Sequence, residues 1–504
     1  MKQRITYIVQ DPDSFSPEQL VVKGSSLTLN RVQAAKEQRI TVGLDELPSE
    51  LKKAFEQWHE LHIRWASSSP YPATPPFTSR VTPGLHVFFT PHKDQPEGDL
   101  CRLLHSVFGS ELKCASMSEA STKMPILSER FSMSTTSQYY SHLESLSTLV
   151  GFIQHKVCKS KACRQAAEAL LSAAYVDIDY DAISHALVLN AFGATGPTTG
   201  YWDETISFES EAHSTEVGVL THEKNPDPED IGFGGFLTVL GQDQAPKPTR
   251  FQTPTRHYPL SSAAANYKTS FAHPTGLHPT LSLAFPSSHL TPPDSTCKLH
   301  AYFTLPSYVF LDKYQFNDAL YLASHNLKRL RSIAGATDLE APDWVTSQWG
   351  SAALFELAIP KSSETQNAQP EWNVTIPLHL RYLPAADNSH TAVPVPWPVV
   401  FWACRAEQGT KMSVNPFDRL HLGYEALFGP KTRFMHIPPI GGGNGTGGLV
   451  EWINVPVLDL RKSQWVELGT IGTVIVAFLG LCWAIFGGGK GKAKKESAKQ
   501  KKKQ

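Results

Sequence analysis

The stretch Leu468–Phe486, LGTIGTVIVAFLGLCWAIF, runs for nineteen residues without a charge, and a lysine-rich stub, Gly487–Gln504, follows it. At about 1.5 Å of rise per residue such a helix reaches roughly 28 Å, close to the hydrocarbon thickness of an endoplasmic reticulum (ER) bilayer. No amphipathic partner follows, so the segment reads as a membrane-crossing helix over 465–486 and not as a buried core helix. Trp465 and Trp483 stand near its two ends, where interfacial aromatics are favoured.

Charge sets the expected orientation. The stub 487–504 carries eight lysines against one glutamate, whereas the other flank offers Arg461 and Lys462 with Glu467. The positive-inside rule puts the stub in the cytosol and the bulk of the chain in the lumen. The whole chain has a net charge of −1, so everything before the stub is net acidic, and no nucleic-acid partner is expected. Lys501 and Lys502 lie fourth and third from the end and match a dilysine retrieval signal. The opening MKQRITYIVQDPDSF lacks an apolar run and does not read as a signal peptide. That absence leaves a tail-anchored topology, with its bulk in the cytosol, as the rival. Two features favour the lumen: the glycosylation sequons at Asn373 and Asn444, and six cysteines before the span, Cys101, Cys114, Cys158, Cys163, Cys297 and Cys404. An even count suits disulfides in an oxidising compartment. The pairing stays open, and free thiols are the alternative.

Proline, 37 of 504 residues, exceeds the usual share of about 5% and predicts short strands with long connections. RITYIVQ, HIRWAS and LHVFFTP read as strands and LPSELKKAFEQWHEL as a helix. Residues 93–135 read as loop. SQYYSHLESLSTLVGFIQHKV and CRQAAEALLSAAY read as two helices. From Tyr175 onward, eight runs of β-branched, aromatic and leucine residues alternate with proline, glycine and polar clusters, as in an antiparallel sandwich. KPTRFQTPTRHYPLSSAAANYKTS reads as a surface loop between them. The expected fold class is therefore mainly β: an antiparallel β-sandwich-like domain over 175–430, a smaller α/β region over 1–174 before it, a glycine-containing juxtamembrane linker over 431–464, and one C-terminal transmembrane helix.

Few residues invite chemistry. Asp177, Asp179 and Asp181 form overlapping acid-x-acid triplets. Such triplets can hold a divalent metal, yet alternation along a strand makes a solvated acidic face the expected reading. Gly443, Gly445 and Gly448 match a dinucleotide loop in spacing alone, because prolines precede and a strand-like run follows. His185, His213, His222, His300 and His379 are scattered, with no zinc-binding spacing. No nucleophile elbow is present.

A resemblance is carried by longer motifs. LHAYFTLPSYVFLDKYQF (Leu299–Phe316) contains Leu305, Pro306, Asp312 and Tyr314. DLEAPDW (Asp338–Trp344) follows, then IPLHLRYLP (Ile376–Pro384) with His379, Arg381 and Tyr382. PVPWPVVFWAC (Pro394–Cys404) contains Pro396, Trp397, Pro398 and Trp402. These resemble the PIG-X family, and GLDELPSELKKAF, ELHIRWAS and FTSRVTPGLHVFFTP resemble its fungal branch. The resemblance implies a non-catalytic, single-span ER glycoprotein without cofactor, metal or catalytic residues of its own. Its implied partner is the multi-spanning catalytic subunit of glycosylphosphatidylinositol (GPI) mannosyltransferase I, which adds the first mannose to the GPI precursor. PWPVVFWAC and LPSYVFLDKY are candidate contact surfaces, with core packing as the plainer explanation. A lumenal folding factor for secreted proteases and glycoproteins is the alternative role, and a sugar transferase using Asp177, Asp179 and Asp181 is a third.

Overall fold

A computed structural model describes residues 1–486 apart from 93–98, 124–136, 197–199, 209–213, 224–229, 262, 264, 274, 288–289, 361–370, 407–416, 418–421 and 442–447. The described residues are mostly strand, arranged in antiparallel sheets with few helices. The larger sheet has ten strands, in the order Lys247–Pro254, Asp230–Val239, Ser214–Glu223, Lys2–Val9, Ala34–Gly43, Ala186–Gly193, Tyr175–Asp181, Trp58–Ala66, Gly84–Pro91 and Ser137–Ser141. Neighbours are antiparallel except Lys2–Val9 beside Ser214–Glu223. Strands from both sides of residue 174 pair in this sheet.

A second sheet of six strands runs His257–Pro259, Thr432–His436, Val399–Arg405, Lys298–Pro306, Gly350–Leu357 and Leu327–Gly335. Side chains alternate across a strand, and here both faces are covered. Leu299, Ala301, Phe303 and Leu305 enter one core with Val374, Ile376 and Trp397. Tyr302, Leu354 and Phe401 enter the opposite core with Trp65, Tyr140 and Leu104. A strand buried on both faces needs a nearly continuous apolar run; LHAYFTLP and GSAALFEL are such runs, and the latter is buried throughout. The first core is closed by two small sheets, Lys268–Phe271/Thr280–Pro286/Glu371–Pro377 and His390–Pro396/Val450–Pro456. The second lies under the ten-stranded sheet and its helices.

Several local expectations are corrected. The helix predicted over LPSELKKAFEQWHEL is only Ser49–Phe55, because Trp58 already belongs to the strand Trp58–Ala66. Residues 137–141 are an edge strand instead of a helix, with Tyr139 and Tyr140 packed into the core; the helix begins at Ser147. The stretch 93–135, expected as loop, contains the helix Leu100–Phe108; Leu100, Leu104, Val107 and Phe108 had the right spacing for it. The surface loop expected over 247–270 is instead the strand Lys247–Pro254, the short strand His257–Pro259 and the start of Lys268–Phe271. Lysine and proline mark Lys247–Pro254 as a sheet edge, where a missing N–H faces solvent. The stretch 431–464 supplies Thr432–His436 and Val450–Pro456 to two sheets.

The six cysteines pair as Cys101–Cys114, Cys158–Cys163 and Cys297–Cys404. The last closes a separation of 107 residues and the second only 5, so chain entropy assigns them roughly 5 and roughly 2 kcal/mol. Beyond the folded body, the helix Leu460–Phe486 contains an 18-residue window with a mean hydropathy of 2.2, is long and apolar enough to cross a membrane, and is buried nowhere.

Buried histidines give the body an acid limit. Burial holds His86 at about 4 and His300 at about 3, and burial, followed by His257, pushes His436 well below its usual value. The unfolded chain protonates these rings below about pH 6.5 and therefore binds more protons than the folded chain as pH falls. Stability should be flat above pH 7 and should decline from about pH 6.5 toward 4. Thermal unfolding of the detergent-purified chain would show this, and His300→Phe should reduce the decline. An unchanged pH slope in that variant would assign the loss to other groups.

Candidate functional site

The acidic triplet is resolved first. Asp177 is buried, and its two oxygens take Nε and Nη2 of the buried Arg64 at 2.6 and 2.7 Å. Asp179 Oδ1 meets His62 Nδ1 at 2.5 Å, and Asp181 Oδ1 accepts from the Ile183 amide in the following turn. In place of the expected solvated face stands a hydrogen-bonded row across Tyr175–Asp181 and Trp58–Ala66, buried at Asp177 and half-buried at Asp179 and Asp181. Pairing Arg64 opposite Asp177 and His62 opposite Asp179 creates it, a register invisible in the sequence. Among the described residues, Asp294, Cys297 and Cys404 are close enough to suggest a metal, but both thiols are spent in a disulfide.

The motif residues divide into scaffold and surface. Leu305, Pro306, Pro396, Trp397, Pro398 and Trp402 are buried. Trp397 Nε1 donates to Glu451 Oε1 at 3.1 Å, and the Pro398 carbonyl accepts from Tyr267 Oη at 2.6 Å. PWPVVFWAC is therefore core and not a contact surface. In LPSYVFLDKY only Tyr314 is exposed; Asp312 turns the chain there by accepting from the Tyr314 amide. His379 stacks on Phe310 and approaches His278, Nδ1 to Nδ1, at 3.1 Å. Burial, then His278, lowers its pKa.

Arg381 organises the exposed part. Its side chain is buried against Phe310, with the guanidinium 4.3 Å from the ring centre. Nε donates to the Ser307 carbonyl at 3.0 Å, Nη1 to the Asp338 and Ala341 carbonyls at 2.6 and 2.7 Å, and Nη2 to the Ala336 carbonyl at 3.2 Å. Burial lowers its pKa, opposed by Asp338 and Asp343. The planar fork suits several fixed carbonyls at once, which a lysine cannot match. Asp343 fastens the same loop: its Oδ1 accepts from Ser307 Oγ at 2.6 Å, its Oδ2 takes Lys113 Nζ at 3.3 Å, and its amide donates to the Tyr382 carbonyl at 3.0 Å.

Held out by this frame are Trp344, Val345 and Tyr382, at 57%, 61% and 63% exposure. Large aromatics on a rigid loop are typical anchors for a protein partner. Trp344 lies in a quoted motif, but only burial separates it from the core tryptophans. Asn373 sits exposed on the edge strand Glu371–Pro377, with Thr375 Oγ1 bonded to His325 Nδ1 at 2.7 Å. His185 and His222 are exposed and His300 is buried, so the scattered histidines are not brought together. Asn444, Lys501, Lys502, His213, Gly443 and Gly445 lie outside the described residues, and Gly448 precedes the strand Val450–Pro456.

These features define a class: a β-rich body joined to one helix fit to cross a membrane, with an aromatic surface set on a carbonyl-clamping arginine. The family model described as PIG-X / PBN1 matches residues 274–486. Protein pbn1 of Emericella nidulans is 48% identical over 506 residues, covering 96% of this chain and 95% of its own. Protein pbn1 of Aspergillus fumigatus is 44% identical, covering 96% and 94%. Protein pbn1 of Neurospora crassa is 42% identical, covering 97% and 95%. The chain belongs to the PIG-X / PBN1 family.

Scaffold and surface should respond differently to substitution. Arg381→Met leaves four carbonyls without their donor and should cost about 3 kcal/mol or more, with new proteolytic cleavage between residues 336 and 345. Trp344→Ala removes an exposed ring and should change stability by under about 1 kcal/mol. Equal effects of the two changes in denaturant unfolding would contradict this division.

Proposed function

We propose that this chain is a non-catalytic subunit of the ER membrane that supports GPI mannosyltransferase I. It binds and stabilises the multi-spanning catalytic subunit that adds the first α-1,4-linked mannose to the GPI precursor. The observation that carries the reading is the Trp344–Val345–Tyr382 surface, exposed yet fixed by Arg381 and Asp343 in a member of this family. A partner bound only in its folded form is stabilised by mass action, and rigid aromatics lose little entropy on contact. Three disulfides, an exposed Asn373 and the charge asymmetry about the span support a lumenal body and a cytosolic tail bearing Lys501 and Lys502. Sequons at Asn373 and Asn444 would then carry glycans.

The test is co-purification of the catalytic subunit with Trp344→Ala/Tyr382→Ala. Recovery should fall at least ten-fold while the thermal unfolding midpoint stays within about 2 °C. Unchanged recovery would remove this surface from the proposal. Restored mannosyltransferase levels with continued accumulation of misfolded secretory proteins would favour the folding-factor role. Glycosidase should shift the mobility of the wild-type chain, and Asn373→Gln should shorten that shift.

A further inference from the structure

The face of the ten-stranded sheet turned toward the helices is not fully covered. Ile40 and Val42, Leu187 and Leu189, and Ile178 form an apolar floor that is only half-buried. Its roof is made of short helices: Ser49–Phe55, Leu100–Phe108, Ser147–Phe152 and Lys161–Glu168 have 7, 9, 6 and 8 residues. They are too short to extend across the strands Ala34–Gly43 and Ala186–Gly193. Between floor and roof lies a cavity of about 300 Å³. Val107, Phe152 and Ala167 line it from the helices, and Gln3 and Gln38 are the polar side chains in its lining. Gln3 lies opposite Ile40 on Lys2–Val9, and Gln38 lies two residues before Ile40 on Ala34–Gly43, so both amides sit on the floor among these strands. The roof is tied down by the disulfide Cys158–Cys163, and Cys163 itself lines the cavity.

Size decides what such a space can take. A dry cavity of about 150 Å³ accepts benzene, so this one holds on the order of a dozen carbons. A long polyprenyl chain would leave most of its length outside. An almost wholly apolar lining with amides at one side suits a hydrocarbon chain whose ester group stops at the polar edge. The chain also carries its own membrane-crossing helix, which keeps the cavity at high effective concentration beside a bilayer.

We propose that this cavity binds one acyl chain of a membrane phospholipid, its ester end near Gln3 and Gln38. The site is separate from the Arg381 surface and does not depend on the mannosyltransferase reading. The full-length chain, reconstituted in phosphatidylcholine nanodiscs containing a diazirine-bearing phosphatidylcholine, would be photolysed, digested and mapped by mass spectrometry. Cross-links are expected in two places: the membrane helix Ser463–Phe486, and cavity peptides around Ile40, Leu189 or Val107. Ala191→Phe with Ala167→Phe fills the space and should lower cavity labelling at least five-fold, with labelling of the membrane helix as the internal control. Val42→Trp, at a half-buried position, is the second variant should the first not fold. Labelling confined to the membrane helix would overturn the proposal, as would cavity labelling unchanged in the filled variant. Cavity labelling by a diazirine fatty acid alone would overturn the phospholipid source.

Discussion

The six-stranded sheet is the constraint on which the rest depends. Both of its faces are dry, so each central strand must supply apolar side chains in two directions at once. Lys298–Pro306 does this with Leu299, Ala301 and Phe303 on one side and Tyr302 on the other. Some of the polar groups that share those faces are paired. His257 is bonded to His436 at 2.8 Å and to Glu425, and Tyr302 Oη donates to Gln138 at 3.3 Å. Removing one member of such a network leaves a desolvated partner behind. The sheet therefore joins the two largest cores, and a change within it is felt on both sides. The Arg381 clamp is built against the end of its strand Lys298–Pro306, through the Ser307 carbonyl and the Phe310 ring.

Much of this was legible in the sequence because it rests on period and run length. The β runs after Tyr175, the strand RITYIVQ and the final apolar helix each express one local pattern. What was not legible rests on pairing. The acids at 177, 179 and 181 alternate as a solvated face would, and nothing local says that Arg64 and His62 lie opposite them. Trp344 and Trp397 both sit within two residues of a proline in family motifs, yet one is exposed and the other buried at 1%, because Trp397 packs into the core with Leu299, Phe303 and Val400. The strands within 247–270 do not show in the sequence because an edge strand and a loop share a vocabulary of lysine, proline and threonine. The short helix Leu100–Phe108 had the right periodicity, but its polar surroundings outweighed it.

The candidate surface and the lipid cavity illustrate two ways in which a fold leaves something incomplete. At the Arg381 loop the backbone is over-determined: five carbonyl or amide contacts and two carboxylate contacts fix it, so exposure of Trp344 is a stable property and not a fluctuation. At the sheet face under the helices the opposite holds. Four short helices leave apolar strands half-covered.

The body is also moored closely. The strand Val450–Pro456 ends only a few residues before the helix Ser463–Phe486. The intervening chain is pinned as well: the Ala386 amide donates to the Leu458 carbonyl, and the Leu460 amide donates to the Ala386 carbonyl. Asp459 then holds Arg461 through both oxygens at 3.0 Å. With so little free tether, at about 3.5 Å per extended residue, the body cannot wander into the aqueous space. With that helix in a bilayer, the body would move with the membrane as a keel does with a hull, its end nearest the helix held beside the headgroups.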